Sequence, residues 1–146
     1  MAGKKQFSTF AVDRLLFGVE VEKVQEVIRF QEMTRVPLAH PVVSGLINLR
    51  GQIVTALDLR RRFDLRERAE DIRPMNVVVR HDDGAVSLLV DEIGDVVEVE
   101  EDTYELPPGT LSAEARELIR GVYKLKAGLL IVVDTDKILN LVTTAA

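Results

Sequence analysis

Short apolar runs, each closed by turn-forming residues, recur along the whole chain and constrain it to a strand-rich fold. They are Phe7–Val12, Leu15–Val21, Leu46–Leu49, Ile53–Leu57, Asn76–His81, Val86–Val90, Val96–Val99, Leu118–Leu125 and Leu129–Val133. β-Branched residues dominate, and most runs are shorter than a helix needs to bury a face. Asp82-Asp83-Gly84 links two of them with the Asp-Gly pair of a tight hairpin. Lys126-Ala127-Gly128 links two more, its glycine free to take a positive φ. Helices are expected to be few and short. One turn is expected at Glu22–Glu26, and a second helix at Asp58–Phe63. A C-terminal helix is expected at Asp134–Leu141, with Ile138, Leu141 and Val142 on one side. Asp58 and Asp134 are good N-caps for the last two. The charged stretch Arg66–Arg73 reads as an exposed connector, and Pro107-Pro108-Gly109 as a loop.

Two pairs of segments echo each other. Val21–Ile28 (VEKVQEVI) resembles Val90–Val97 (VDEIGDVV), and Gly45–Asp58 resembles Gly121–Asp134. In the second pair a glycine opens a strand, a tight turn follows, and the next strand ends at an aspartate that can cap a helix. The repeat implies two similar β-units, at approximately 5–65 and 74–142 of a single domain spanning 5–142. Small barrels are the expected form, because closure removes exposed strand edges.

Composition narrows the function classes. The 146-residue chain is 47% hydrophobic and 29% charged with a net charge of −5, so it has no general electrostatic attraction to nucleic acid or anionic membrane. Arg60-Arg61-Arg62 is a local basic exception, read either as a solvated helix face or as a patch for a partner. There is no cysteine, which excludes disulfides, zinc–thiolate centres and thiol catalysis. No run approaches the ~18 apolar residues of a membrane span, and Met1–Gln6 lacks a signal core. A cytoplasmic protein without direct membrane insertion is expected.

No catalytic or metal constellation emerges. His40 and His81 have no second ligand at metal-binding spacing and read as structural or solvent-facing. Ser44 is not in a nucleophile elbow, and no phosphate-binding glycine motif occurs. Asp82-Asp83 belongs to a turn, and Glu100-Glu101-Asp102 to an expected helix start. No cofactor is expected.

The densest unusual segment is Gly45–Arg60, GLINLRGQIVTALDLR. Strand alternation puts Asn48 and Arg50 on one face and Leu49 on the other. Either Arg50 pairs loosely with a neighbouring carboxylate, or a rigid strand presents its fork of donors to a partner. Gly45–Gly51 with Ile53–Arg60 resembles the G-x-x-N-L-R-G-x-x-x-P-x-x-D-L-R signature of the CheW-like family of chemotaxis coupling proteins. Further matches extend the resemblance from about Phe7 to Leu141. They are Phe10–Val27 with its K-V-x-E-V turn, Val90–Val96 (V-D-x-V-x-x-V), Ile119–Gly121 and Leu129–Leu139. Two positions depart from the pattern: Thr55 stands where the family often has proline, and Val12-Asp13-Arg14 lacks the usual turn glycine.

The resemblance implies a mainly β fold of two five-stranded SH3-like barrels with a few short helices and a C-terminal helix. It implies a non-enzymatic adaptor, recruited to receptor clusters at the inner face of the membrane. The implied partners are the cytoplasmic hairpin tip of a chemoreceptor and the regulatory domain of a CheA-type histidine kinase. Carried over position by position, Val24, Glu26 and Arg50 match receptor-facing residues, with Gly45 and Asn48 shaping the same surface. Glu26 otherwise reads as a solvated helix residue. The resemblance assigns no kinase-facing residue. The alternatives are a detached kinase regulatory domain, a coupling module of a non-motility receptor pathway, a small β-barrel hydrolase or ligand-binding protein, and an oligonucleotide-binding barrel. The last would want basic strands with exposed aromatics, and only 5% of residues are aromatic.

Overall fold

The computed structural model describes residues 4–82, 84–100, 103–109 and 111–140. The apolar runs become strands β1 (Lys4–Val12), β2 (Leu15–Glu20), β3 (Val24–Ile28), β4 (Val43–Leu49), β5 (Gln52–Asp58), β6 (Met75–His81), β7 (Gly84–Val90), β8 (Glu92–Glu100), β9 (Tyr104–Glu105), β10 (Ile119–Leu125) and β11 (Gly128–Val133). Among the described residues three short helices accompany them: α1 (Leu59–Arg62), α2 (Ala113–Arg116) and α3 (Thr135–Leu139). Aspartate carboxylates cap two of them, Asp58 accepting from the Arg60 amide and Asp134 from the Lys137 amide. α2 was not expected. It is a single turn capped by Ser112, too short to show an apolar period.

Several expectations are corrected here. Glu22–Glu26 is not a helical turn: a 3-10 turn covers only Val21–Lys23, and Val24 already begins β3. The segment alternates, with Val24, Glu26 and Ile28 more covered than Gln25 and Val27, and its pairing with β6 settles the outcome. Glu100 ends β8 rather than starting a helix. Leu141, Val142, Asp83, Glu101 and Asp102 lie outside the described residues. The β1–β2 turn does need a positive φ, and Asp13 supplies it at +58° in place of glycine.

The strands form two sheets, ordered β8-β1-β2-β11-β10-β9 and β3-β6-β7-β5-β4. Setting aside the two-residue β9, the orders correspond strand for strand. In each, an edge strand precedes a hairpin, which meets a second hairpin through a parallel pair (β2 with β11, β7 with β5). The two echoing hairpins also share a register shift at their start, between Val43 and Gly45 and between Ile119 and Gly121. However, the sheets do not coincide with chain segments 5–65 and 74–142. The opening hairpin of each segment lies in the sheet built mainly by the other: β1–β2 joins β8, β10 and β11, while β6–β7 joins β3, β4 and β5. Local apolar pattern is blind to this exchange, because it sets which face is buried and not which strand lies alongside.

The exchange explains why many runs are apolar at consecutive positions. Val77 and Val79 of β6 enter a central cluster with Phe10, Phe17, Phe63 and Ile131, while Val78 enters a separate cluster with Ile47, Val54 and Leu89. On β11, Ile131 and Val133 face the central cluster, and Leu130 and Val132 join Phe7 and Val99 in a third. Each sheet therefore wraps its own small core and shares a larger one with its neighbour.

Candidate functional site

Leu49 pairs with Gln52, which leaves Arg50 and Gly51 as a two-residue hairpin loop. Their φ angles, +51° and +88°, are those of the primed turn that matches strand twist. The Asn48 side-chain oxygen accepts the Gly51 amide at 2.8 Å, closing the loop from within. Asn-Leu-Arg-Gly is therefore a turn motif first. Arg50 sits at the tip of the turn, not on a strand in alternation with Asn48 as expected.

That position lets Arg50 reach β3. Its guanidinium chelates the Glu26 carboxylate, with Nη1 donating at 3.1 Å to Oε1 and 3.3 Å to Oε2, and Nη2 also donating to Oε1. The pair is lopsided: the Glu26 side chain is 22% exposed and Arg50 66%. Glu26 is thus mostly covered, whereas much of the Arg50 side chain stays free to meet another molecule. β3 is one edge of its sheet and the β4–β5 hairpin forms the other side, so this pair draws the curled sheet together.

The other site residues occupy different levels. Val24 is half-buried and packs on the central core, and its carbonyl accepts from Arg80 Nη1 at 3.3 Å. Gly45 is buried. A Cβ there would lie 2.7 Å from the Thr34 carbonyl oxygen, so glycine is required by the backbone of residues 33–34 crossing over it. Thr34 exchanges backbone hydrogen bonds with Leu46 at 2.9 and 2.8 Å, fixing that crossing. The structure brings Glu26, Asn48 and Arg50 to one tip, whereas Gly45 acts from beneath. Ile53, directly across from Asn48, is 61% exposed and adds an apolar element that the sequence reading did not single out. The arrangement offers an oriented charge, amide groups and an apolar side chain, a set suited to holding another surface.

The arginine run is not a uniformly solvated face: Arg61 is exposed, but its neighbours are partly or fully covered. Arg60 is buried, Arg61 Nη1 donates to the Pro41 carbonyl, and Arg62 donates to the Ile138 and Lys137 carbonyls at the end of α3. Arg60 meets Asp91, donating from Nε (3.0 Å to Oδ1) and from Nη2 (2.6 Å to Oδ2). Arg68 Nε adds a bond of 2.8 Å, so the stretch read as an exposed connector carries a side chain only 8% exposed. Burial pushes the Asp91 carboxyl up. Hydrogen bonds from Arg60, the Asp13 amide and Arg68 outweigh it and hold the group below its ordinary value. The sequence carried one signal for this cluster, an aspartate between two β-runs. His40 has a structural role, its Nδ1 accepting the Val42 amide at 3.1 Å.

A family model described as CheW-like domain matches residues 6–143. The chain is 30% identical over 131 residues to the chemotaxis protein CheW of Bacillus subtilis, covering 90% of this chain and 84% of that one. It is 28% identical over 139 residues to the chemotaxis protein CheW of Treponema pallidum, covering 92% and 82% respectively. The crystal structure of the scaffolding protein TtCheW from Thermoanaerobacter tengcongensis superposes with a TM-score of 0.83, at 24% identity, over 96% of this chain and 95% of that one. This last likeness establishes the fold, two SH3-like units.

Proposed function

The chain belongs to the CheW-like family of non-enzymatic chemotaxis adaptors, and on that premise we propose that the Arg50 turn is its receptor-facing surface. In this reading the protein couples chemoreceptors to a CheA-type histidine kinase as a cytoplasmic member of receptor clusters. The cytoplasmic hairpin tip of the receptor docks against Arg50, Asn48 and Glu26, over a floor fixed by Gly45 and Val24. The regulatory domain of the kinase engages a different part of the molecule. The observation that carries the reading is the lopsided pair: Glu26 orients a guanidinium that remains mostly exposed at a rigid turn. Anchors of this type, arginines beside apolar side chains such as Ile53, dominate binding energy at interfaces.

The test is binding of wild type and Arg50→Ala to a receptor cytoplasmic fragment and to the kinase regulatory domain. A loss of about tenfold or more for the receptor fragment, roughly 1.4 kcal/mol, with kinase binding kept, is the expected result. Equal receptor affinity in the two proteins would remove Arg50 from the interface.

A further inference from the structure

The exchanged hairpins oblige the chain to pass between the sheets at two places, and these crossings are built differently. The first, from β2 to β3, runs through the 3-10 turn Val21–Lys23 and is held from outside. Arg80 Nη1 donates to the Glu22 carbonyl at 2.9 Å, and Arg120 pairs with Glu20 at 3.1 Å, both exposed contacts. The second, from β7 to β8, is the single residue Asp91. Its amide donates to the Ala11 carbonyl at 2.9 Å and its carboxylate accepts the Asp13 amide at 2.6 Å, both in the β1–β2 hairpin of the six-stranded sheet. The same carboxylate is held by Arg60 and Arg68, from the helix and connector that follow β5 of the other sheet. Arg60 also donates to the Arg66 carbonyl at 3.1 Å, and Arg66 returns to Asp13 at 3.0 Å. One side chain, 11% exposed, therefore ties both sheets at their crossing.

We infer that the Asp91–Arg60–Arg68 cage is an orientation lock, which fixes the angle between the two sheets. The central apolar cluster holds the sheets together, but apolar attraction is non-directional and tolerates sliding. The charge-assisted fork from Arg60 and the further bond from Arg68 Nε to the same carboxylate tolerate little, since a forked pair specifies both distance and plane. Replacing a buried ionic triad with apolar residues of similar size often leaves a fold intact, so orientation and folding can be separated.

The chain has no cysteine, so spin labels at Gln25→Cys on β3 and Lys124→Cys on β10 report the inter-sheet distance directly. In the otherwise unchanged protein, pulsed dipolar spectroscopy is expected to give one narrow distribution. In the triple variant Arg60→Met/Arg68→Met/Asp91→Leu the distribution is expected to be at least twice as wide, with cooperative melting retained. Asp91→Glu keeps the charge on a longer arm, and should move the mean distance while leaving the distribution narrow. A triple variant that is folded and as narrow as the parent overturns the inference. So does one that does not fold, because the cage would then be a requirement of folding and not of orientation. An Asp91→Glu protein with the parent's mean distance overturns it as well.

Discussion

At the scale of single residues, two ion pairs of similar geometry have opposite consequences. The Glu26–Arg50 pair lies at the surface, where such pairs contribute about 0–1 kcal/mol. Exchanging its charges (Glu26→Arg with Arg50→Glu) should leave the melting temperature nearly unchanged and still abolish receptor-fragment binding. Recovery of binding in the exchanged protein would show that the pair serves only to hold β3. Asp91 is different, because its removal strands two arginines at low exposure. Asp91→Asn should lose about 3 kcal/mol of stability at pH 7, measured by urea unfolding. The carboxyl is held below its ordinary value of 3.8 in the folded state, so its contribution is complete above that value and disappears as pH falls below it. The gap between wild type and Asp91→Asn should therefore narrow at pH 3, and a gap of unchanged size would remove the ionised carboxylate as its source. Gly45 is the third such position: Gly45→Ala forces a carbon against a backbone carbonyl and should cost about 1–3 kcal/mol. A calorimetric melt matching wild type would mean that residues 33–34 move aside freely.

Among the elements, the hairpins were the most legible in the sequence. Gly45–Asp58 and Gly121–Asp134 carried their own turns, strand lengths and helix caps, and the structure returns them as matching β4–β5 and β10–β11 units with α1 and α3 following. β3 was misread because five residues with a glutamate and a glutamine suit a helical turn as well as an edge strand, and only pairing with β6 decides between them. The tip of β4–β5 was misread for a related reason. Alternation arguments hold while the chain stays extended, and they stop after Leu49, because φ turns positive at Arg50. Gly51, at φ +88°, has open space around the site of a Cβ, so only the backbone opposes substitution. Gly51→Ala should thus cost about 1–2 kcal/mol through left-handed strain alone. Because that strain acts on the turn that carries Arg50, receptor-fragment affinity should drop with stability while the kinase domain binds as before. Retained affinity in a destabilised Gly51→Ala protein would separate the turn from the docking surface.

For the whole molecule, the sequence echo did not reveal that the first hairpin of each chain segment lies in the sheet built mainly by the other. Every residue of the candidate site lies in 5–65, on β3, β4, β5 and their turn, but β6 and β7, which pair with β3 and β5 and complete the sheet beneath it, belong to the other half. Expressed separately, 5–65 and 74–142 should each remain unfolded by amide exchange, and mixing them should restore a folded pair. Independent folding of either half would mean that hairpins can close on their own segment. The same exchange reaches back to the moment of synthesis. β2 leaves the ribosome long before the strand that lies parallel to it, centred on Leu130 to Val132, has been made. The nascent protein must carry an apolar hairpin without its neighbour until that strand emerges. Completion of the six-stranded sheet is thereby deferred until β10 and β11 have been synthesised.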